Sequence, residues 1–124
     1  MNIKKSFRLS GKEIRYISFT KRKKFLRWRI LNINIIDQYS DKNYNKFGFS
    51  VSSKFHKRAV YRNIVRRIFF DIIYKNSYLS TKIQWKYKKI YVWLKKWVEL
   101  DVKDKNFKTK IRNLMENDLK IIFK

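Results

Sequence analysis

"FGFSVSSKFHKRAVYRNIVRRIFFDII", residues Phe47 to Ile73, changes period halfway along, and that change decides the fold. The first six residues alternate, with Phe47, Phe49 and Val51 on one side and Gly48, Ser50 and Ser52 on the other. That pattern is a strand with one apolar and one small, polar face, expected over Phe47 to Lys54. From Phe55 the period becomes helical. At about 100° per residue, Val60, Tyr61, Ile64, Val65, Ile68, Phe69 and Ile72 share one half of a helix, while Arg62, Asn63, Arg66 and Arg67 fall within about 140° of one another on the other. The apolar half anchors the helix on a sheet. The other half presents planar guanidinium forks, which match phosphate oxygens better than lysine ammonium groups do. No acid within the helix neutralises them before Asp71, so the cluster repels itself until a phosphate backbone reverses the cost.

On the N-terminal side, "LSGKEIRYISF" (Leu9 to Phe19) opens with Ser10 and carries Glu13 three residues on, the capping-box spacing, then Ile14 and Ile17 at helical spacing. A short first helix is expected there. "FLRWRILNINIID" (Phe25 to Asp37) is rich in β-branched and aromatic residues and suits one or two strands, and the polar run Gln38 to Lys46 reads as a hairpin loop. Beyond the central helix lies a polar and aromatic stretch, "SYLSTKIQWKYKK". The opening of "IYVWLKKWVEL" (Ile90 to Leu100) then reads as a strand. Phe107, Ile111, Leu114, Met115, Leu119 and Ile122 recur mostly at spacings of three and four, a final amphipathic helix with Asp104 as its expected N-cap. The order helix, one or two strands, strand, helix, strand, helix is an α+β sandwich, helices over a small sheet.

The chain has 124 residues, enough for one domain, and residues 1–124 show no repeat, linker or Pro/Gly cluster that would divide it. Lys plus Arg number 33 against 9 acids, a formal net charge of +24. Self-repulsion on that scale implies a polyanionic partner, and nucleic acid is the first candidate. A membrane is not expected, because Lys or Arg interrupts the apolar residues every few positions and no run approaches the roughly 18 to 20 a spanning helix needs. "MNIKKSFRLSGK" is basic but has no apolar core for a signal peptide, and cysteine is absent, both of which favour the cytoplasm. Lys, Asn, Ile, Tyr and Phe abound while Ala occurs once and Pro never, a pattern of A/T-rich coding, so single lysines carry less weight than the ordered arginines. Apolar residues at 44% and aromatics at 18% argue against disorder.

The central stretch resembles the signature of the bacterial ribonuclease P protein subunit, in which a strand ending in lysine passes through a short basic connection into a helix beginning A-x-x-R-N-R-x-K-R. The matching residues are Ala59, Arg62, Asn63, Arg66 and Arg67, with Lys54 at the strand end and Gly48, Ser50 and Val51 within it. "RLSGKEIRYI" (Arg8 to Ile17) is similar to the family's first helix, and the likeness spans nearly the whole chain. Three positions depart: Ile64 replaces the second Arg of R-N-R, Phe70 a later Arg, and Ile14 an aromatic of the first helix. The resemblance implies a two-layer α/β sandwich of the ribosomal protein S5 domain 2-like type, with a small mixed sheet. Where a strand, helix and parallel strand follow one another the crossover is right-handed in about 98% of cases. The family is the left-handed exception, and a left-handed βαβ crossover is expected here.

Functionally, the resemblance implies the protein subunit of a ribonucleoprotein endonuclease that removes the 5′ leader from precursor tRNA, one protein for each ribonuclease P RNA. The RNA subunit, with the Mg2+ it requires, performs the hydrolysis; the protein supplies no catalytic residue and binds no cofactor or metal. Carried over by position, Lys54, Arg58, Arg62, Asn63, Arg66 and Arg67 contact the catalytic RNA, while Ile14, Ile17, Phe47, Phe49 and Val51 lie near the leader cleft. Two rival readings follow from the residues. A basic ribosomal protein would show the same charge and aromatic interleaving, and only the ordered motif argues against it. A stand-alone nuclease needs converging carboxylates. The closest acids are Glu99, Asp101 and Asp104, which suit capping better, and the single histidine, His56, excludes a His-pair mechanism within one chain.

Overall fold

Ser10 and Glu13 form the expected capping box: the Ser10 hydroxyl accepts from the Glu13 amide at 3.2 Å, and the Glu13 carboxylate accepts from the Ser10 amide at 3.0 Å. Helix α1 (Gly11–Phe19) starts there. The computed structural model describes residues 7–38, 42–96, 98 and 100–123. After α1 come β1 (Lys24–Arg27), β2 (Leu31–Asp37), β3 (Lys46–Ser50), α2 (Ala59–Lys75), a 3-10 turn at Tyr78–Ser80, β4 (Lys88–Leu94) and α3 (Phe107–Ile122). The result is an α+β fold with a four-stranded mixed sheet in the order β1-β2-β4-β3. No helix among the described residues is long and apolar enough to cross a membrane.

The sheet corrects the expected hairpin loop at Gln38 to Lys46. β2 and β3 are not neighbours, because β4 inserts between them, antiparallel to β2 and parallel to β3. The hairpin lies earlier, between β1 and β2, where Arg27 faces Asn32 across a turn through Trp28 and Ile30. That turn is held from a distance. The buried Asp118 carboxylate on α3 accepts from the amides of Ile30 at 2.9 Å and Leu31 at 3.1 Å, so the turn's amides are satisfied without water.

Period-2 alternation then sorts the side chains. Leu31, Ile33 and Ile35 on β2, Ile90, Val92 and Leu94 on β4, and Phe47 and Phe49 on β3 share one face by register, and α2 and α3 cover it. Phe69 stacks on Phe49 with centroids 4.3 Å apart and meets Phe47 edge-on at 6.3 Å. Ile111, Met115 and Leu119 bring α3 into the same core, and Arg112 on α3 pairs with Asp71 on α2 at 2.8 Å. Each large apolar side chain fully buried here contributes roughly 1.5–3 kcal/mol.

Helix α1 lies on the opposite face. Its Glu13 bridges Lys46 of β3 and Lys89 of β4 at 2.8 and 3.0 Å, and buried Leu9 and Ile17 stand outside the main core cluster. Gly48 makes the close approach possible, since a Cβ there would meet the Leu9 side chain at 3.2 Å and Tyr91 at 3.3 Å. Two boundaries also shift. Strand pairing stops at Ser50, and Ser52 to Phe55 form a turn closed by the Phe55 amide on the Ser52 carbonyl, so Lys54 lies in that turn and not at a strand end. The N-cap of α3 is Asn106; Asp104 lies just ahead, accepting the Asn106 amide and pairing with Lys110 at 2.7 Å.

Candidate nucleic-acid interface

The start of α2 carries the residues singled out from the motif. Arg58 occupies the N-cap without a side-chain cap, and no acid stands in the first turn. The exposed amides and the positive end of the helix dipole therefore add to the charge of Lys54, Lys57 and Arg58, all exposed. Asn63 and Arg67 are exposed, Arg62 and Arg66 half-buried. Their tasks differ. Arg62 Nη1 donates to the carbonyl oxygens of His56 and Lys57 at 2.8 and 2.7 Å, folding the basic loop back onto the helix. Arg66 donates to Asn63 Oδ1 at 2.8 Å, while His56 Nδ1 accepts the Arg58 amide and its ring lies against Tyr61. The nearest acid on the helix, Asp71, is engaged by Arg112 and Lys75. The apolar stripe holds from Val65 onward, with Ile73 added, but Val60 in the first turn is 53% exposed. Ile64 and Phe70, at the two departing positions, pack partly buried against the core.

The second part of the site is a cleft of about 470 Å³ between α1 and the uncovered face of the sheet, lined by Ser18, Lys23, Asn34, Ser50, Tyr91 and Trp93 among others. Phe25 stacks on Trp93 at 5.9 Å and 16°, Tyr91 on Trp93 at 5.4 Å, and the Arg27 guanidinium lies 5.3 Å from the Phe25 centroid. These rings cross three strands because β1 and β4 flank β2, where Asn32 and Asn34 leave room. The Asn34 side chain is 4% exposed, and its Oδ1 has no hydrogen-bond partner in the protein.

Of the residues expected near that cleft, Val51 lines it, while Ile17 is wholly buried and Ile14 half-buried along α1. Phe47 and Phe49 point the other way, into the core, where Phe69 packs on both. Asn34, Tyr91 and Trp93 line the cleft instead, with Phe25 stacked on Trp93 beside it. The signal was present in "IYVWL", where Tyr91 and Trp93 alternate with Ile90, Val92 and Leu94.

At the far end of the cleft face, burial pushes the Glu13 carboxyl upward, but hydrogen bonds from Lys46, the Ser10 amide and Lys89, with the charge of Lys89, outweigh it and hold the pKa at about 2. Among the described residues no three acids or histidines converge as a metal site would require. Asp101 accepts the Lys103 amide within its own turn, and Glu99 lies outside the described residues.

An uncapped arginine helix beside an aromatic cleft, on a basic α+β domain, is the construction of an RNA-binding protein. The chain belongs to the Ribonuclease P family, whose model matches residues 3–118. Its fold is similar to that of the Staphylococcus aureus RNase P protein, with 21% identity over 97% of this chain and 100% of that one and a TM-score of 0.71. The RNase P protein from Thermotoga maritima is similar too, at 22% identity, covering 93% and 96%, with a TM-score of 0.65. No curated protein sequence matches it. Family membership makes the chain a protein subunit of an endoribonuclease holoenzyme involved in tRNA processing, with RNA as its partner, and leaves the ribosomal reading without support.

Proposed function

We propose that the protein joins one ribonuclease P RNA in the cytoplasm, docks on it through Lys54, Arg58, Asn63, Arg66 and Arg67 with Arg62 shaping the loop, and holds the 5′ leader of precursor tRNA in the α1–sheet cleft. The observation that carries this is contiguity: Ser50, Val51 and Ser52 line the cleft, and Lys54 to Arg58 follow directly into the arginine helix. A strand leaving an RNA bound at the helix therefore meets the cleft at once. The aromatic row Tyr91, Trp93 and Phe25 suits single-stranded RNA, since any base stacks on such rings at about 1–3 kcal/mol. The hydrolysis falls to the RNA and its Mg2+ ions. The protein's part is binding and screening of phosphate repulsion, so the RNA works at lower magnesium than it does alone.

The test is precursor tRNA incubated at low magnesium with protein, with ribonuclease P RNA, and with both. Cleavage is expected only with both; cleavage by protein alone would overturn the division of labour, and no stimulation by protein would overturn the role itself. Affinity of the assembled particle for precursors of graded leader length then tests the cleft. An affinity independent of length would remove leader binding.

A further inference from the structure

The stretch from Tyr78 to Lys88 belongs to neither the arginine helix nor the cleft, and it forms a pinned arm. Fully buried Asn45 donates through Nδ2 to the carbonyl oxygens of Tyr78 and Thr81 and accepts the Lys88 amide at Oδ1, each at 2.7 Å. At the tip, Ile83 and Lys86 exchange both backbone hydrogen bonds, at 2.9 and 3.2 Å, around a two-residue turn. Its central residues are Gln84 at φ 51° and Trp85 at φ 73°. A turn of that shape favours Asn-Gly, because a side chain with a Cβ is strained at positive φ. Trp85 is nevertheless there, and it is 92% exposed. A bulky ring held in a disfavoured conformation on a well-bonded arm, burying almost nothing of itself, is a strained feature that points to a ligand.

The position and charge of the arm say which ligand. β4 runs from Lys88 at the arm to Leu94 at the arginine end, roughly 20 Å for its length at about 3.3 Å per residue. Lys82, with its ammonium 5.5 Å from the Tyr87 ring centroid, and Lys86 flank the tip, and Asp37 is shared by Lys86 and Lys88. Helix α1 crosses the sheet between the two ends: Ser18 lines the cleft, and Tyr16 lines a separate groove that it shares with Ile36, Lys89 and Gln84 and that reaches the arm.

We propose that Trp85 is a distal stacking site for single-stranded RNA, holding an unpaired base of the leader after the strand has left the cleft and passed α1. The inference rests on the leader reading above. If the catalytic RNA lies at the arginine end, the leader enters the cleft there, and the nucleotides that emerge past α1 are those farthest from the cleavage site. A planar indole beside lysines is suited to such bases whatever their identity.

The experiment uses assembled holoenzyme carrying Trp85→Gly, Trp85→Phe or Trp93→Ala, and precursors with leaders of about 4 and about 12 nucleotides, a span within the range of single-strand binding sites. Glycine relieves the left-handed strain, so Trp85→Gly should melt at or above the wild-type temperature while losing about fivefold or more of its affinity for the long leader. Affinity for the short leader and assembly with the RNA should stay unchanged, and Trp85→Phe should keep part of the long-leader gain. Undiminished long-leader affinity in Trp85→Gly would overturn the proposal. So would an equal loss with the short leader, weaker assembly with the RNA, or a self-association of the protein that Trp85→Gly abolishes. The two readings separate cleanly. If Trp93→Ala costs short-leader affinity and Trp85→Gly costs nothing, only the distal site fails; if Trp93→Ala costs nothing, the cleft reading fails and the distal site, as the continuation of that path, is overturned with it.

Discussion

The two faces of the sheet are made from the same strands and treated oppositely. One is closed by α2 and α3 over a continuous apolar core from Leu31 to Leu119, with Phe47, Phe49 and Phe69 interleaved. The other is crossed by the short α1 alone, leaving Phe25, Tyr91 and Trp93 stacked in a row and an Asn34 oxygen without a protein partner. Aromatic side chains occur on both, so aromaticity does not separate core from site. What separates them is the covering layer: rings under two helices hold the fold, and rings under one short helix remain available to a ligand.

The largest effect that could break this comparison is at the closed face. Phe69→Ala should cost about 3–5 kcal/mol in denaturant unfolding, because the ring is fully buried between Phe47 and Phe49. Next comes the open face, where Trp93→Ala should spare most of the stability and instead weaken leader binding by about 1–3 kcal/mol, read as affinity for precursor over mature tRNA. A Trp93→Ala protein that unfolds like Phe69→Ala would erase the distinction between the faces.

Acid sharpens it further. The folded pKa of Glu13, at about 2, lies below its ordinary value of 4.5. The unfolded chain therefore binds more protons in between, and stability from the Glu13 bridges is complete above about pH 4.5 and lost as pH falls through about 2. Glu13→Gln should flatten that part of the acid-unfolding curve. Equal pH dependence in the two proteins would show that the bridges to Lys46 and Lys89 do not hold α1. The smallest effect is expected at the arginine helix: Arg67→Ala should leave the melting temperature in place and lower the slope of log affinity against log salt by about one in binding to ribonuclease P RNA. Arg62→Ala should cost assembly and loosen the loop as well, since its guanidinium holds two loop carbonyls.

Much of this was legible in the chain itself wherever the signal is local. The capping box of Ser10 and Glu13, the helical stripe from Val65 to Ile72 and the arginines opposite it depend on neighbours three or four residues apart, and they stand as read. The hairpin expected at Gln38 to Lys46 failed because strand partners are chosen over long separations: β4, some fifty residues on, competes for the edges of both β2 and β3. The expected cleft residues Phe47 and Phe49 failed for a related reason. Alternation shows that a strand has two faces but not which of them a distant helix will cover.

By itself, then, the sequence determined a basic α+β fold, its helices, and an arginine face whose charge requires a polyanion, since composition and short-range periodicity are properties of the chain before it folds. Tertiary structure decided which aromatics are core and which form the cleft, the closing of the β1–β2 turn by Asp118 from 88 residues away, and the fixing of the Trp85 arm by Asn45. Each depends on groups that meet only when the layers pack, where a buried polar atom must find its partner and an apolar face its cover.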